Sequence, residues 1–149
     1  MVGKRGQAAM EFLMTYGWAI LVVLIAIGAL AYFGVLNPDR FLPEKCLIAS
    51  GSGLFCDDYN AVAGSGITLR IHNILTEGVT ITGVTVTDTS ITCTWTGSTA
   101  ITADDTADFL AACIGLTAGQ KVKGDITVEY SKAGGLARST TGNVVTTAA

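Results

Sequence analysis

A chain of 149 residues carries nine basic and twelve acidic side chains, a formal charge of −3, and half of its residues are apolar. Without Lys4 and Arg5 near the start, seven bases face twelve acids, a balance of −5. Nothing basic then remains to grip a phosphate backbone, which excludes a nucleic-acid partner, and the length allows one domain beyond a membrane segment.

Residues 6–37 contain one charged side chain, Glu11, and no proline. As a helix, residues 7–36 would be about 45 Å long at ~1.5 Å per residue. A hydrocarbon core is only ~30 Å thick, so the segment spans it with length to spare. Asn37-Pro38 is expected to end the helix, because proline cannot continue the ladder and restricts the residue before it. Lys4 and Arg5 on the short side place the N-terminus inside and the rest outside. A secretory signal has an apolar core of roughly 7–15 residues, and this run is about twice that. A plain signal anchor explains Lys4, Arg5 and the length. It gives no reason for Glu11, since a carboxylate in a span is expensive and marks a functional site by default.

Residues 38–65 read as irregular, punctuated by Pro38, Pro43, Gly51, Gly53, Gly64 and the adjoining Gly66. Asp57-Asp58 reads as a solvated acidic turn; calcium needs six or more oxygen ligands and there is no EF-hand pattern. Four cysteines, Cys46, Cys56, Cys93 and Cys113, all follow the apolar segment. An even count in an exported domain reads as two disulfides, and four cysteines allow three pairings. The sequence-local choice joins Cys46 to Cys56 and Cys93 to Cys113. Each bridge would contribute about 3 kcal/mol in the chain-entropy model. The alternative is a zinc site, but there is no C-x-x-C pair and the one histidine is His72.

From Gly66 the apolar period becomes two. Ile67, Leu69 and Ile71 alternate with Thr68, Arg70 and His72; Val79 and Ile81 alternate with Thr80 and Thr82. The phase slips at Gly83, the mark of a β-bulge, and resumes with Val84 and Val86. Further strands are expected at Ile91 to Thr96, at Ile126 to Ser131, and, weakly, from Leu136 to Val145 after the Lys132–Gly135 turn. Asp105 to Ile114 is ambiguous between a short helix and a buried strand. Such short alternating strands argue an antiparallel sandwich or barrel. The fold class is therefore α+β: a long apolar helix followed by an antiparallel, Ig-like β-sandwich.

Threonine crowds the polar face of these strands. β-propensity explains that; O-glycosylation or adhesive hydrogen bonding is the functional alternative. There is no N-x-Ser/Thr acceptor. His72 alternates with apolar residues and reads as a surface or edge residue rather than a general base, and Asp104-Asp105 as a loop. No nucleophile elbow, phosphate loop or H-E-x-x-H occurs. No enzyme activity, cofactor or metal is expected.

Lys4, Arg5, Gly6, Gln7, Glu11 and the long apolar run, in this register, resemble the class III signal peptide of archaeal type IV pilins. The family has a short basic leader ending in Gly, then Gln at the first and Glu at the fifth mature position. Ala9 and Thr15 depart from it, where Ser and Leu are usual; neither touches the cleavage bond or the carboxylate. The strands from Ile67 and the Tyr130–Gly142 ending also look like the β-domain of these pilins. The resemblance implies three segments: a cleaved leader 1–6, a helix 7–37, and an extracellular β-domain 38–149. A prepilin-type signal peptidase would recognise Lys4, Arg5 and Gly6 and cut between Gly6 and Gln7. A pilus assembly ATPase and a membrane platform protein would then move the subunit from the cytoplasmic membrane into a helical homo-oligomer on the cell surface, for adhesion. Gln7 and Glu11 would set subunit register. A minor or priming pilin, or a monomeric membrane-anchored binding module, are the alternatives. An archaellin is a further relative, but Gln7 with Glu11 favours the pilin branch.

Overall fold

The computed structural model of the protein describes residues 3–34 and 41–149. The chain divides into two compact units, Met1–Leu42 and Pro43–Ala149. In the first, α1 spans Gly3–Tyr32 and buries no residue. Its leucine, isoleucine, valine and alanine content leaves no polar stripe to face water. Regular helix stops at Tyr32, short of Leu36. Phe33 and Gly34 donate their N–H groups to the carbonyls of Ala29 and Ala31, and Gly34 adopts φ 71°. Left-handed backbone costs glycine nothing, so Gly34 closes the helix. The stop expected at Asn37-Pro38 lies outside the described residues.

The second unit holds eight strands: β1 Lys45–Ile48, β2 Leu54–Val62, β3 Gly66–Asn73, β4 Val79–Thr87, β5 Thr92–Ile101, β6 Thr106–Cys113, β7 Lys121–Lys132 and β8 Ala137–Thr147. The strands read from the period of two are present. Asp105 to Ile114 resolves as strand. The stretch expected to be irregular is corrected: it contains β1 and β2. Asp57 and Asp58 lie within β2, where a register shift separates Cys56 from Asp58, and not in a turn. The slip at Gly83 is a real irregularity: the ladder steps from Ile81 to Gly83 on both sides of β4.

The strands form one sheet in the order β1-β8-β7-β4-β5-β6-β3-β2, with antiparallel ladders throughout. The fold is thus a long apolar helix followed by an eight-stranded antiparallel sheet. Its inner face is apolar: Ile67, Leu69 and Ile71 meet Ile81, Val84, Val86, Ile126, Val128 and Phe109, all fully buried. Burying apolar area at ~25 cal/mol per Å² is what curls the sheet around a core.

Two junctions in this sheet are thin. β5 and β6 share only two register pairs, Cys93 with Cys113 and Thr94 with Ala112. Above that ladder the Trp95 ring packs edge-on against Phe109, 4.7 Å between centroids. β1 and β2 stand at the two ends of the order and share no ladder. Each junction carries one disulfide: Cys93–Cys113 at the first, Cys46–Cys56 at the second. The pairing is the sequence-local one, and it leaves none of the four thiols free for zinc. Farther along the open junction Ala149 donates to the Ala61 carbonyl and accepts from Ala63, at 2.9 and 3.0 Å. Gly142 lets β1 lie close on β8; a Cβ there would meet the Leu47 carbonyl oxygen and the Ile48 Cα.

Candidate functional site

The residues singled out near the start all lie on α1. Lys4, Arg5, Gly6 and Gln7 are in continuous helix, so the Gly6–Gln7 bond is helical. Gln7 and Glu11 stand four residues apart, on one face and about 6 Å along the axis. Thr15 extends that face. Its hydroxyl donates to the Glu11 backbone carbonyl at 2.8 Å. That bond accounts for a hydroxyl where an apolar side chain is usual, because threonine hides its polarity by bonding back one turn. The Glu11 carboxylate is exposed, and among the described residues no side chain pairs with it. The rest of α1 offers lipid or protein an apolar surface, with Trp18, Leu24 and Ile25 all more than half exposed. What α1 can do chemically is bury itself and present one carboxylate at one height.

On the β-domain, β2, β3 and β6 aim a polar grid outward. Asp58, Arg70 and Asp108 occupy one row; Asn60, Thr68 and Leu110 occupy the next. Five of these residues, with Tyr59, line an open groove. Arg70 donates from Nε and Nη2 to the two Asp108 carboxylate oxygens at 2.7 and 2.9 Å. This bidentate bond holds the Asp108 carboxyl below the usual carboxylate range, and raises the Arg70 guanidinium above its own. Burial first, then Glu44 and Asp58, push the Tyr59 phenol up.

The Asp108 shift carries a sign. A carboxyl depressed in the fold stabilises it above the unfolded value, about 3.9, and that contribution fades as pH falls through the folded value. Both partners are about half exposed, so the contribution is small. Asp108→Asn is expected to flatten the loss of stability on the acid side. Urea midpoints taken from about pH 5 down to about pH 2 should fall less for the variant than for the wild type.

His72 lies in β3, between β2 and β6, and so is not on a sheet edge. Its Nε2 is 3.0 Å from Asp104 Oδ1. Asp104 is in a turn with φ 57°, and its side chain is almost fully exposed. A partly buried imidazole beside a solvated carboxylate is a surface contact, and among the described residues no third group is bonded to the ring. The threonines form a register row: Thr141, Thr127, Thr85 and Thr94 are neighbours across β8, β7, β4 and β5.

Sequence reasoning missed the groove, because Asp58 and Asn60 fell in the stretch taken as irregular. It also missed Asn73, which is fully buried at the end of β3. No protein-family model matches the chain, and no curated protein matches it.

Proposed function

We propose that this chain is a structural subunit of an archaeal type IV pilus. It waits in the cytoplasmic membrane with its N-terminus inside. A prepilin-type peptidase removes residues 1–6, and an assembly ATPase with its membrane platform packs the helix into a filament core. The β-domain, read as an Ig-like sandwich whose two leaves meet at the thin β5–β6 ladder, coats the outside and mediates adhesion. One observation carries the reading. α1 is apolar on every side, buries nothing, and holds a single carboxylate five residues after a Gly-ended basic leader. A helix apolar all round must be covered by lipid or by other helices. Neither a secretory signal nor a plain anchor needs Glu11.

The test is a cryo-EM map and an intact mass of filaments sheared from producing cells. The expected result is a helical core of α1 copies whose first residue is Gln7. Chain that keeps residues 1–6 and remains in the membrane fraction, with no filament containing it, overturns the reading.

The groove around Arg70 favours a second reading, a membrane-anchored binding module that uses the leader only for processing. It predicts a mature chain beginning at Gln7 that never polymerises.

A further inference from the structure

The chain reaches the β-domain from α1 through β1, and β1 is the weakest strand in the sheet. It is four residues long, pairs with β8 alone, and does so through four register pairs. A load passed along the chain from α1 to the β-domain enters β1 at Lys45, just after Glu44, whose carboxylate accepts one hydrogen bond from the Thr147 N–H at 3.0 Å. Those four pairs would carry most of it, with Ala49 donating to the Thr141 carbonyl at 2.9 Å and Gly53 accepting from the Ile74 N–H at 3.0 Å just beyond them; once these failed, residues 49–53 would run out.

Cys46 alters that path. It is the second residue of β1, and its disulfide crosses the ladderless junction to Cys56, the third residue of β2. β2 is held on β3 by eight register pairs. Because neighbours alternate in direction through eight strands, β1 and β2 run antiparallel. A pull on Lys45 away from β1 therefore drags Cys56 along the axis of β2. The β2–β3 pairs are then loaded together, in shear, beside the β1–β8 pairs.

We propose that Cys46–Cys56 is a mechanical clamp: it carries tension from the incoming chain past β1 into β2, and prevents residues 47–55 from extending. Cys93–Cys113 serves a different end. It joins two interior strands, and no load entering at Lys45 has to cross it before β1 yields. The inference needs α1 to be held and the β-domain to be pulled. It stands whether lipid or neighbouring helices do the holding, and so does not depend on the filament reading.

Single-molecule pulling tests it. The full chain, in detergent micelles, carries one handle at its N-terminus and one on an azido residue replacing Leu136. Leu136 is 84% exposed, at the end of β8 opposite the Lys45 pairing. Unravelling of α1 adds the same length in every variant. In Cys46→Ser/Cys56→Ser the first rupture of the β-domain should occur at lower force than in the oxidised wild type. It should be followed by an added lengthening of about 29 Å: ten Cα–Cα steps from Cys46 to Cys56 at ~3.5 Å each, less the 5.8 Å the bridged pair already spans. Cys93→Ser/Cys113→Ser should leave the force of the first rupture unchanged. Should the first double variant not fold, the second variant is folded oxidised and reductant is added in the trap, which isolates Cys46–Cys56. An unchanged first rupture after loss of Cys46–Cys56 overturns the clamp. So does an equal fall on loss of Cys93–Cys113 alone.

Discussion

Asn73→Ala is expected to destabilise the β-domain by about 3 kcal/mol, a large share of the ~5–15 kcal/mol that holds a domain folded. Asn73 is fully buried, yet its side chain is satisfied at both ends. Nδ2 lies 2.9, 3.2 and 3.1 Å from the carbonyls of Glu77, Ile101 and Thr102, to which it donates. Oδ1 accepts from the Leu75 N–H at 3.0 Å. Its backbone joins the same knot, donating to Asp105 and accepting from Asp104, each at 2.9 Å. One amide thus ties the β3–β4 loop to the β5–β6 loop, beyond the point where β5 and β6 cease to pair. Alanine removes the amide from three carbonyls, one of them buried and two part-buried, and losing a partner at a buried site costs more than the bond itself contributes. Asn73→Asp should be worse than alanine at neutral pH, because a carboxylate would then face three carbonyl oxygens with no proton to offer. Urea unfolding followed by the near-ultraviolet dichroism of Trp95 measures both. A loss below about 1 kcal/mol for alanine would show that water replaces the amide and that the knot is dispensable.

The same residue shows where sequence reading reaches its limit. Alternation located β3, β4, β5 and β7 because one face of each is buried, and a buried face imposes a period of two. The slip at Gly83 was legible for the same reason: an extra residue must turn the pattern over. β2 has no such clarity. Its register shifts between Cys56 and Asp58, so the apolar phase breaks after three residues, and its outward side carries Asp57, Asp58 and Asn60. β6 contains three alanines and one leucine among eight residues, types that favour helix in isolation. Seven register pairs with β3 outweigh that local preference. Regular helix stops at Tyr32 although the next four residues are still apolar or glycine; hydropathy does not register the φ of Gly34. Short spacing gave the cysteine pairs, but not what they do. That Cys46 and Cys56 face each other across the two ends of a sheet follows from the strand order, which no local pattern encodes. Asn73 was invisible for the same reason. The carbonyls it bonds at Ile101 and Thr102 lie 28 and 29 residues away.

Glu11→Ala should leave leader removal intact and abolish or sharply weaken filament growth. On the proposed reading the bond to be cut is Gly6–Gln7, before Glu11, and a peptidase that recognises Lys4, Arg5 and Gly6 would not need the carboxylate. Assembly is another matter. Cleavage would free an α-amine on Gln7, one helical turn from Glu11 on the same face. In a dry helix core, an amine that loses its carboxylate is left uncompensated, at a cost of about 3–5 kcal/mol, or at least ~100-fold in each contact. Before assembly the carboxylate is tolerable, since it sits only about 9 Å along the helix from Arg5, near the membrane surface. Gln7 adds a complication, because an N-terminal glutamine can cyclise to pyroglutamate and lose its charge. Glu11 would then accept from a neighbour's backbone N–H groups at the helix start, where a carboxylate is also favoured. Glu11→Gln separates the two cases. The amide keeps an acceptor oxygen and loses the charge. It should fail like alanine if the partner is a charged amine, and should restore part of the filament yield if the partner is a backbone N–H. The intact mass of the mature chain reports cyclisation as loss of ammonia, and so states in advance which outcome is due. Filaments of normal yield from Glu11→Ala would remove any role for Glu11 in register, and leave the apolar surface of α1 as the sole basis of assembly.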